Sequence, residues 1–149
     1  MIVARGIWQA ADTNAKANSM VLAYGLHVGT RLPAHATSTG QVLLANLSSE
    51  ALDAWLEENT LSRLTAHTVT QAKVFRQKLK RIAKQDYGYA KQEHELGVDA
   101  LAVPLRNERG ETIAALNLVR SGASSDAPHL ANEWLPLLQQ AAQSLRLLI

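Results

Sequence analysis

The sequence contains no cysteine and no apolar run long enough to cross a membrane. The first absence excludes disulfides, thiolate catalysis and cysteine-ligated metals. The second excludes a membrane-spanning helix. The segment 1–12 includes Arg5 and lacks the unbroken apolar centre of a signal peptide. We therefore expect a cytoplasmic protein that is not exported and has no membrane partner.

A large excess of charge of one sign is also missing, because the formal net charge is only +2 over 149 residues. A chain with so little excess charge does not indicate, as a whole, a nucleic-acid binder. No internal repeat, low-complexity tract or linker-like stretch divides it. Its length is sufficient for one hydrophobic core. We expect residues 1–149 to form a single domain.

Motifs of catalysis and of metal binding are absent as well. The sequence has no GxGxxG, no P-loop and no GxSxG. Its five histidines lie far apart, and none has the spacing of a metal pair on one helix: His27, His35, His67, His94 and His129. The cluster Glu93-His94-Glu95, if placed in a strand, would point its glutamates to one side and its histidine to the other. We predict no catalytic residues, no metal and no cofactor.

Apolar periodicity and capping residues predict four helices. They begin at Thr37–Thr39, at Ser48 or Ser49, at about Thr70 and near Leu130. The third is the clearest, and we expect it to end near Asp86, with Gly88 in the left-handed conformation that closes many helices.

Four strands are also predicted, over Ile2–Gln9, Ser19–Val28, Val98–Arg106 and Glu111–Arg120. The last two flank the short loop Asn107–Gly110 and are expected to form a hairpin. Pro104 lacks a backbone donor, which places its strand at an edge or beside a bulge. Strands and helices segregated in this way indicate an α+β domain, with a mostly antiparallel sheet and helices packed against it.

Basic side chains form a stripe on the third predicted helix, at Lys73, Arg76, Lys80 and Lys84. Such a stripe has the charge to follow a phosphate backbone. It also provides the polar face that any amphipathic helix needs. No aromatic platform and no helix-turn-helix pattern accompanies it. Nucleic-acid contact through residues 73–84 is therefore kept as an alternative function.

Two features indicate a small-molecule site. Thr37, Ser38, Thr39 and Gly40 stand at a helix start, where unpaired backbone N–H groups favour an anion such as a small carboxylate. The same residues also serve for simple helix capping. Asn117 lies in an otherwise apolar strand, and a buried amide is costly unless it is bonded. Its partner is either a ligand or a neighbouring loop.

Four stretches resemble the effector domain of the IclR family of transcription regulators, in the same order along the chain. They are residues 29–44 (GTRLPAHATSTGQVLL), residues 88–93 (GYAKQE), residues 97–105 (GVDALAVPL) and residues 114–119 (AALNLV). The sequence is most similar to the branch that governs protocatechuate, hydroxybenzoate and β-ketoadipate catabolism. The resemblance extends from Gly29 to the end of the chain.

The resemblance implies a GAF-like α+β fold with a curved, mostly antiparallel sheet. It also implies sensing of a small effector, a carboxylate or an aromatic acid. Members of the family carry an N-terminal winged helix-turn-helix that binds DNA, and nothing in this sequence matches it. We expect an isolated effector-binding domain that forms a homodimer or tetramer and reaches DNA only through that missing domain. A GAF-like enzyme such as a sulfoxide reductase is disfavoured, because that chemistry requires a thiolate.

The resemblance also assigns candidate effector-binding residues. These are Thr37, Ser38, Thr39 and Gly40 at the pocket mouth, Ala100 and Asn117 on strands that face the ligand, and Glu93 in the acidic motif. Arg31 and His35, in the preceding loop, are candidate partners for a carboxylate. Lys91 departs from the family pattern, which commonly has an acidic residue just before Gln-Glu, so the charge preference of the pocket is left open.

Overall fold

The computed structural model describes residues 2–5, 10–12, 31–121 and 127–146. Two short strands come first, β1 (Ile2–Arg5) and β2 (Ala10–Asp12). A short 3₁₀ helix (Ala34–Ala36) leads into α1 (Ser38–Ala45), α2 (Ser49–Glu58) and α3 (Ala72–Gln85). Strands β3 (Gly88–Lys91), β4 (Val98–Arg106) and β5 (Thr112–Ser121) follow, and α4 (Ala127–Leu145) ends the described chain.

The strands form one sheet in the order β2-β1-β5-β4-β3, and every neighbouring pair is antiparallel. Helices α1 and α3 pack on one face of this sheet, and α4 packs on the other. The predicted α+β class with a mostly antiparallel sheet is confirmed. The predicted strand Ser19–Val28 lies outside the described residues, and β2 was not predicted.

The two faces of the sheet carry side chains of very different size. Alternation along β4 and β5 turns large residues toward α4: Leu101, Val103, Leu105 and Leu116. The face toward α1 and α3 carries small residues instead: Gly88, Ala90, Ala100, Ala102 and Ala115. A face of small residues lets a helix approach the sheet closely.

Caps fix the starts of α1 and α2 as the sequence predicts. Thr37 is in an extended conformation and its hydroxyl accepts a hydrogen bond from the Gly40 backbone N–H at 3.3 Å. Ser48 does the same for α2, since its Oγ accepts from the Ala51 backbone N–H at 3.2 Å. Local capping chemistry therefore determines where both helices begin.

The end of α3 differs from the prediction. Asp86, with φ of 62°, takes the left-handed position, and Gly88 is already the first residue of β3. Aspartate is one of the few residues that tolerate this conformation. Its carboxylate also accepts two hydrogen bonds from the Arg106 guanidinium, at 2.6 and 2.8 Å. Glycine is needed at position 88 for another reason, because a Cβ there would lie 2.9 Å from Val42 Cγ2 and 3.2 Å from the Ser38 carbonyl oxygen.

The predicted β4–β5 hairpin is confirmed to within one residue at each strand end, and Gly110 in its turn has φ of 80°. The strand of Pro104 is not an edge strand, since β4 lies between β5 and β3, but the predicted bulge is present. The pairing of β3 with β4 begins at Gly88 opposite Ala102, so Pro104 lies past the end of β3. A register shift follows between Leu105 and Arg106. Helix α4 begins at Ala127, three residues before the predicted start, and continues through Pro136.

Gly88→Ala should lower the free energy of unfolding by about 1–3 kcal/mol, because the added methyl group overpacks the contact between β3 and α1. Urea denaturation of both proteins measures the difference. In a Val42→Ala background the closer of the two opposing atoms is gone, so the same change should cost less. An equal cost in both backgrounds would contradict this account of Gly88.

Candidate functional site

The start of α1 lies over the small-residue face of the sheet. The Ser38 carbonyl is directly above Gly88, as the short distance to a Cβ at that position shows. Gly88 is paired with Ala102, and Ala102 with Asn117, so the three residues form one row across β3, β4 and β5. Asn117 is therefore two strands from Gly88, about 10 Å away on the same face.

Three buried side-chain oxygens at this place have no hydrogen-bond donor among the described residues: Ser38 Oγ, Gln41 Oε1 and Asn117 Oδ1. All three side chains are at least 94% buried. Native proteins rarely leave buried polar atoms unpaired, because each one forfeits its hydrogen bonds to water. Ser38 and Gln41 lie in the first turn of α1, and Asn117 lies on the face of the sheet against which α1 packs. The missing donors indicate that a ligand or ordered water binds between α1 and this face.

The orientation of the Gln41 amide is fixed by its neighbours. Its Nε2 donates to the His35 carbonyl at 2.8 Å and to Glu93 Oε2 at 3.0 Å. Both partners are acceptors, so the nitrogen must face them and Oε1 must face the other way. Gln41 therefore presents a hydrogen-bond acceptor to the site, and the sequence analysis did not single it out.

Glu93 is buried and connects several elements. Its carboxylate accepts from Gln41 of α1 and forms an ion pair with Lys78 of α3. Its backbone carbonyl accepts from Thr68 Oγ1 at 2.6 Å. Burial lowers the pKa of Lys78, and the Glu93 carboxylate opposes that effect. The network ties the start of the β3–β4 connection to both helices.

Lys78 is on the same helix as the basic stripe, but only 19% of its side chain is exposed. The sequence contains a signal that Lys78 is buried. Position 78 follows Phe75 by three and precedes Ile82 by four, which places it on the buried face of α3. A lysine at such a position predicts a buried acidic partner, although not which residue supplies it.

The Glu93-His94-Glu95 cluster is not in a strand, so the alternation considered for it in the sequence does not apply. Strand β3 ends at Lys91, and the cluster lies in the connection to β4. His94 is half-buried, and this burial lowers its pKa. Among the residues that the structure describes, no group of three or more histidine, aspartate or glutamate side chains could hold a metal ion.

The predicted effector-binding residues divide into two groups in space. Ser38, Thr39, Gly40 and Asn117 are buried beside the small-residue face, and Ala100 is half-buried on that face. The Thr37 hydroxyl is used as the helix cap. Lys91, the departure from the family pattern, is exposed and alternates with Ala90, so it lies on the face opposite α1.

Arg31 and His35 line a different cavity of about 300 Å³, formed by the loop before α1, by α2 and by residues 59–64. The His35 ring is buried, with Nε2 2.9 Å from the Ser62 carbonyl oxygen. The structure thus separates the two proposed carboxylate partners from the site under α1.

In the described part of the chain, no helix combines the length and the apolar character needed to span a membrane.

Comparison with known proteins identifies the family. The family described as "Bacterial transcriptional regulator IclR C-terminal" matches residues 14–147. The chain belongs to the IclR family. The p-hydroxybenzoate hydroxylase transcriptional activator of Acinetobacter baylyi is 45% identical over 132 residues, which are 89% of this chain and 49% of that protein. The Pca operon regulatory protein of the same organism is 46% identical over 123 residues, 83% of this chain and 44% of that protein.

A solved structure is also similar. It is the inducer-binding domain of a double mutant of the PobR transcription factor from Acinetobacter, in complex with 3-hydroxybenzoic acid. It superposes with a TM-score of 0.87 at 40% identity, covering 99% of this chain and 87% of that one. The predicted IclR-family effector-binding fold is therefore confirmed. The chain spans about half the length of the curated relatives it matches, and those relatives are transcriptional regulators.

Proposed function

We propose that this chain senses a hydroxylated benzoate in the site under α1. The observation that carries the proposal is the set of three buried, unpartnered oxygens of Ser38, Gln41 and Asn117. The relatives support the chemical class, since one activates p-hydroxybenzoate hydroxylase transcription and a similar domain holds 3-hydroxybenzoic acid.

The site combines the features that such a ligand requires. Asn117 Oδ1, on β5, is an acceptor that needs a ligand that donates, and a phenolic hydroxyl does so. The start of α1 favours the carboxylate at the other end, because the first backbone N–H groups of a helix and its dipole attract an anion. Ala100 is half-buried on the same face, and its small side chain would offer a flat ring little steric obstruction.

The ligand would act by shifting a population of conformations. A molecule that binds one arrangement more tightly than another biases the equilibrium by its difference in affinity. We propose that this bias reaches DNA through an N-terminal DNA-binding domain of the longer regulator, within a homodimer or tetramer in the cytoplasm. In this proposal residues 1–149 are one binding domain without catalytic residues, metal or cofactor, and Thr39, Gly40, Ala100 and Glu93 contribute to the pocket or its support.

The two alternatives receive less support. The stripe of Lys73, Arg76, Lys80 and Lys84 is a solvated face of α3, and Arg76 is paired with Asp53 of α2. Neither this stripe nor a catalytic group accounts for the unpartnered oxygens under α1. The comparisons favour an effector-binding domain over a nucleic-acid module or a GAF-like enzyme.

A thermal-shift panel tests the proposed function. At about one hundred times its Kd, a ligand stabilises a protein by about 2.7 kcal/mol. For a chain of this length that corresponds to a Tm increase of roughly 5–10 °C. We expect this increase with 3-hydroxybenzoate, 4-hydroxybenzoate or 3,4-dihydroxybenzoate, and about tenfold weaker binding of benzoate, which cannot donate to the buried acceptors. Equal binding of benzoate, or no shift with any of the four, would argue against the proposal.

A further inference from the structure

A second cavity lies apart from the site under α1. Its volume is about 300 Å³, which is at the lower end of the range of ligand pockets. Its lining comes from residues 31–35 and from the segment 55–64, and none of it comes from the strands of the sheet. The lining is mostly apolar, with Leu32, Pro33, Ala34 and Leu64 among its members.

Two of the polar side chains that line the cavity are more than nine-tenths buried. Trp55 is only 7% exposed, and its indole Nε1–H finds no acceptor in the part of the chain that the structure describes. His35 is 4% exposed. The Ser62 carbonyl oxygen beside His35 Nε2 can only accept, so Nε2 carries a proton and donates to it. Buried polar groups that line a cavity orient ligands there.

Arg31 adds a charge to this cavity. It is exposed at the cavity's edge, whereas His35 and Trp55 are buried. Its guanidinium carries paired N–H donors, which match the two oxygens of a carboxylate. The apolar lining suits a small ring or a short hydrocarbon chain. The chemistry of the cavity is therefore that of a small acid with an apolar body.

We propose that this cavity is a second small-molecule site, which takes a small aromatic carboxylate, with Arg31 as the partner of the carboxylate and the Trp55 ring in the cavity wall. It differs from the site under α1 in its residues and in what it requires, since a phenolic hydroxyl is not needed. The two sites are connected, because the His35 carbonyl accepts from Gln41 Nε2 at 2.8 Å. A ligand in the second cavity therefore lies beside His35, whose backbone carbonyl holds Gln41 of the site under α1.

Titration of the full chain, labelled with ¹⁵N, with sodium benzoate tests the second site. The chain has three tryptophans, so three indole N–H resonances are expected, and Trp55→Phe assigns one of them. We expect the Trp55 resonance to move in a saturable manner, with nuclear Overhauser contacts between the benzoate ring and the indole. Arg31→Gln should weaken this titration about tenfold, because a charge-assisted hydrogen bond is lost.

Two controls separate this proposal from the proposed function. Asn117→Leu, in the site under α1, should leave the benzoate titration of Trp55 unchanged, and Trp134→Phe should do so as well. A Trp55 resonance that stays fixed at the highest soluble benzoate concentration would overturn the second site. So would loss of its movement in Asn117→Leu, since the response would then come from the other site. An unchanged titration in Arg31→Gln would refute the carboxylate contact.

Discussion

Glu93→Gln should lower the free energy of unfolding by about 3–5 kcal/mol, because it leaves the buried ammonium of Lys78 without its carboxylate. Only 7% of the Glu93 side chain and 19% of the Lys78 side chain are exposed. Little water therefore reaches the Lys78 ammonium to compensate for the lost carboxylate. Urea denaturation at neutral pH measures the loss. The double variant Lys78→Met with Glu93→Gln should recover much of it, since neither charge is then buried alone.

An exposed ion pair on the same helix provides the matched control. Arg76 of α3 pairs with Asp53 of α2, with 40% and 55% of the two side chains exposed. Pairs of this kind contribute about 1 kcal/mol or less, so Asp53→Asn should be nearly neutral. If Glu93→Gln costs no more than Asp53→Asn, the buried network does not hold the site together as described.

The pH dependence of the Glu93→Gln variant follows from the same pair. Burial lowers the pKa of Lys78 below its value in the unfolded chain, while Glu93 opposes the shift. Between the folded pKa and 10.5 the unfolded state therefore binds more protons, and the free energy of unfolding rises as the pH increases through this interval. Without the Glu93 carboxylate the folded pKa falls further, so this rise should be steeper in the variant.

Asn117→Leu should abolish the stabilisation of the chain by 4-hydroxybenzoate. The substitution removes an acceptor from the site and places a methyl group where the ligand needs a partner. The unliganded protein should keep most of its stability, because removing an unpaired buried polar atom in favour of an apolar group of similar shape is close to neutral. The readout is the Tm with and without ligand.

Asn132→Leu is the control for this experiment, since it makes the same change at an exposed position of α4. It should retain the full ligand-induced increase in Tm. An Asn117→Leu protein that retains the increase would show that the ligand binds elsewhere, and the assignment of the site under α1 would then be wrong.

Features of the fold that depend on local chemistry could be predicted from the sequence. The caps at Thr37 and Ser48 and the β4–β5 hairpin are set by residues close in the chain. Features that depend on tertiary contacts could not be predicted. Asp86 ends α3 with help from Arg106, and Gly88 is required by the approach of Val42. Both contacts join residues from different elements.

The residues of the candidate site also divide into those that the sequence predicts and those whose role depends on tertiary contacts. Ser38 and Asn117 were both predicted as site residues. Ser38 lies over Gly88, which is at one end of a row of paired residues that has Asn117 at its other end. Gln41 and Lys78 were not among the predicted site residues, since their importance arises only when Glu93 lies between them. Arg31 and His35 are close to Ser38 in the chain, yet they line another cavity, because the turn into α1 directs them away.

A crystal structure of this chain with 4-hydroxybenzoate would test the central claim most directly. We expect the ring to lie against Ala100 and Ala102, with its polar groups bonded to Asn117 Oδ1 and to the start of α1 near Ser38. A structure in which protein side chains fill that space, with Asn117 and Ser38 bonded to other residues and the ligand bound elsewhere or not at all, would contradict it.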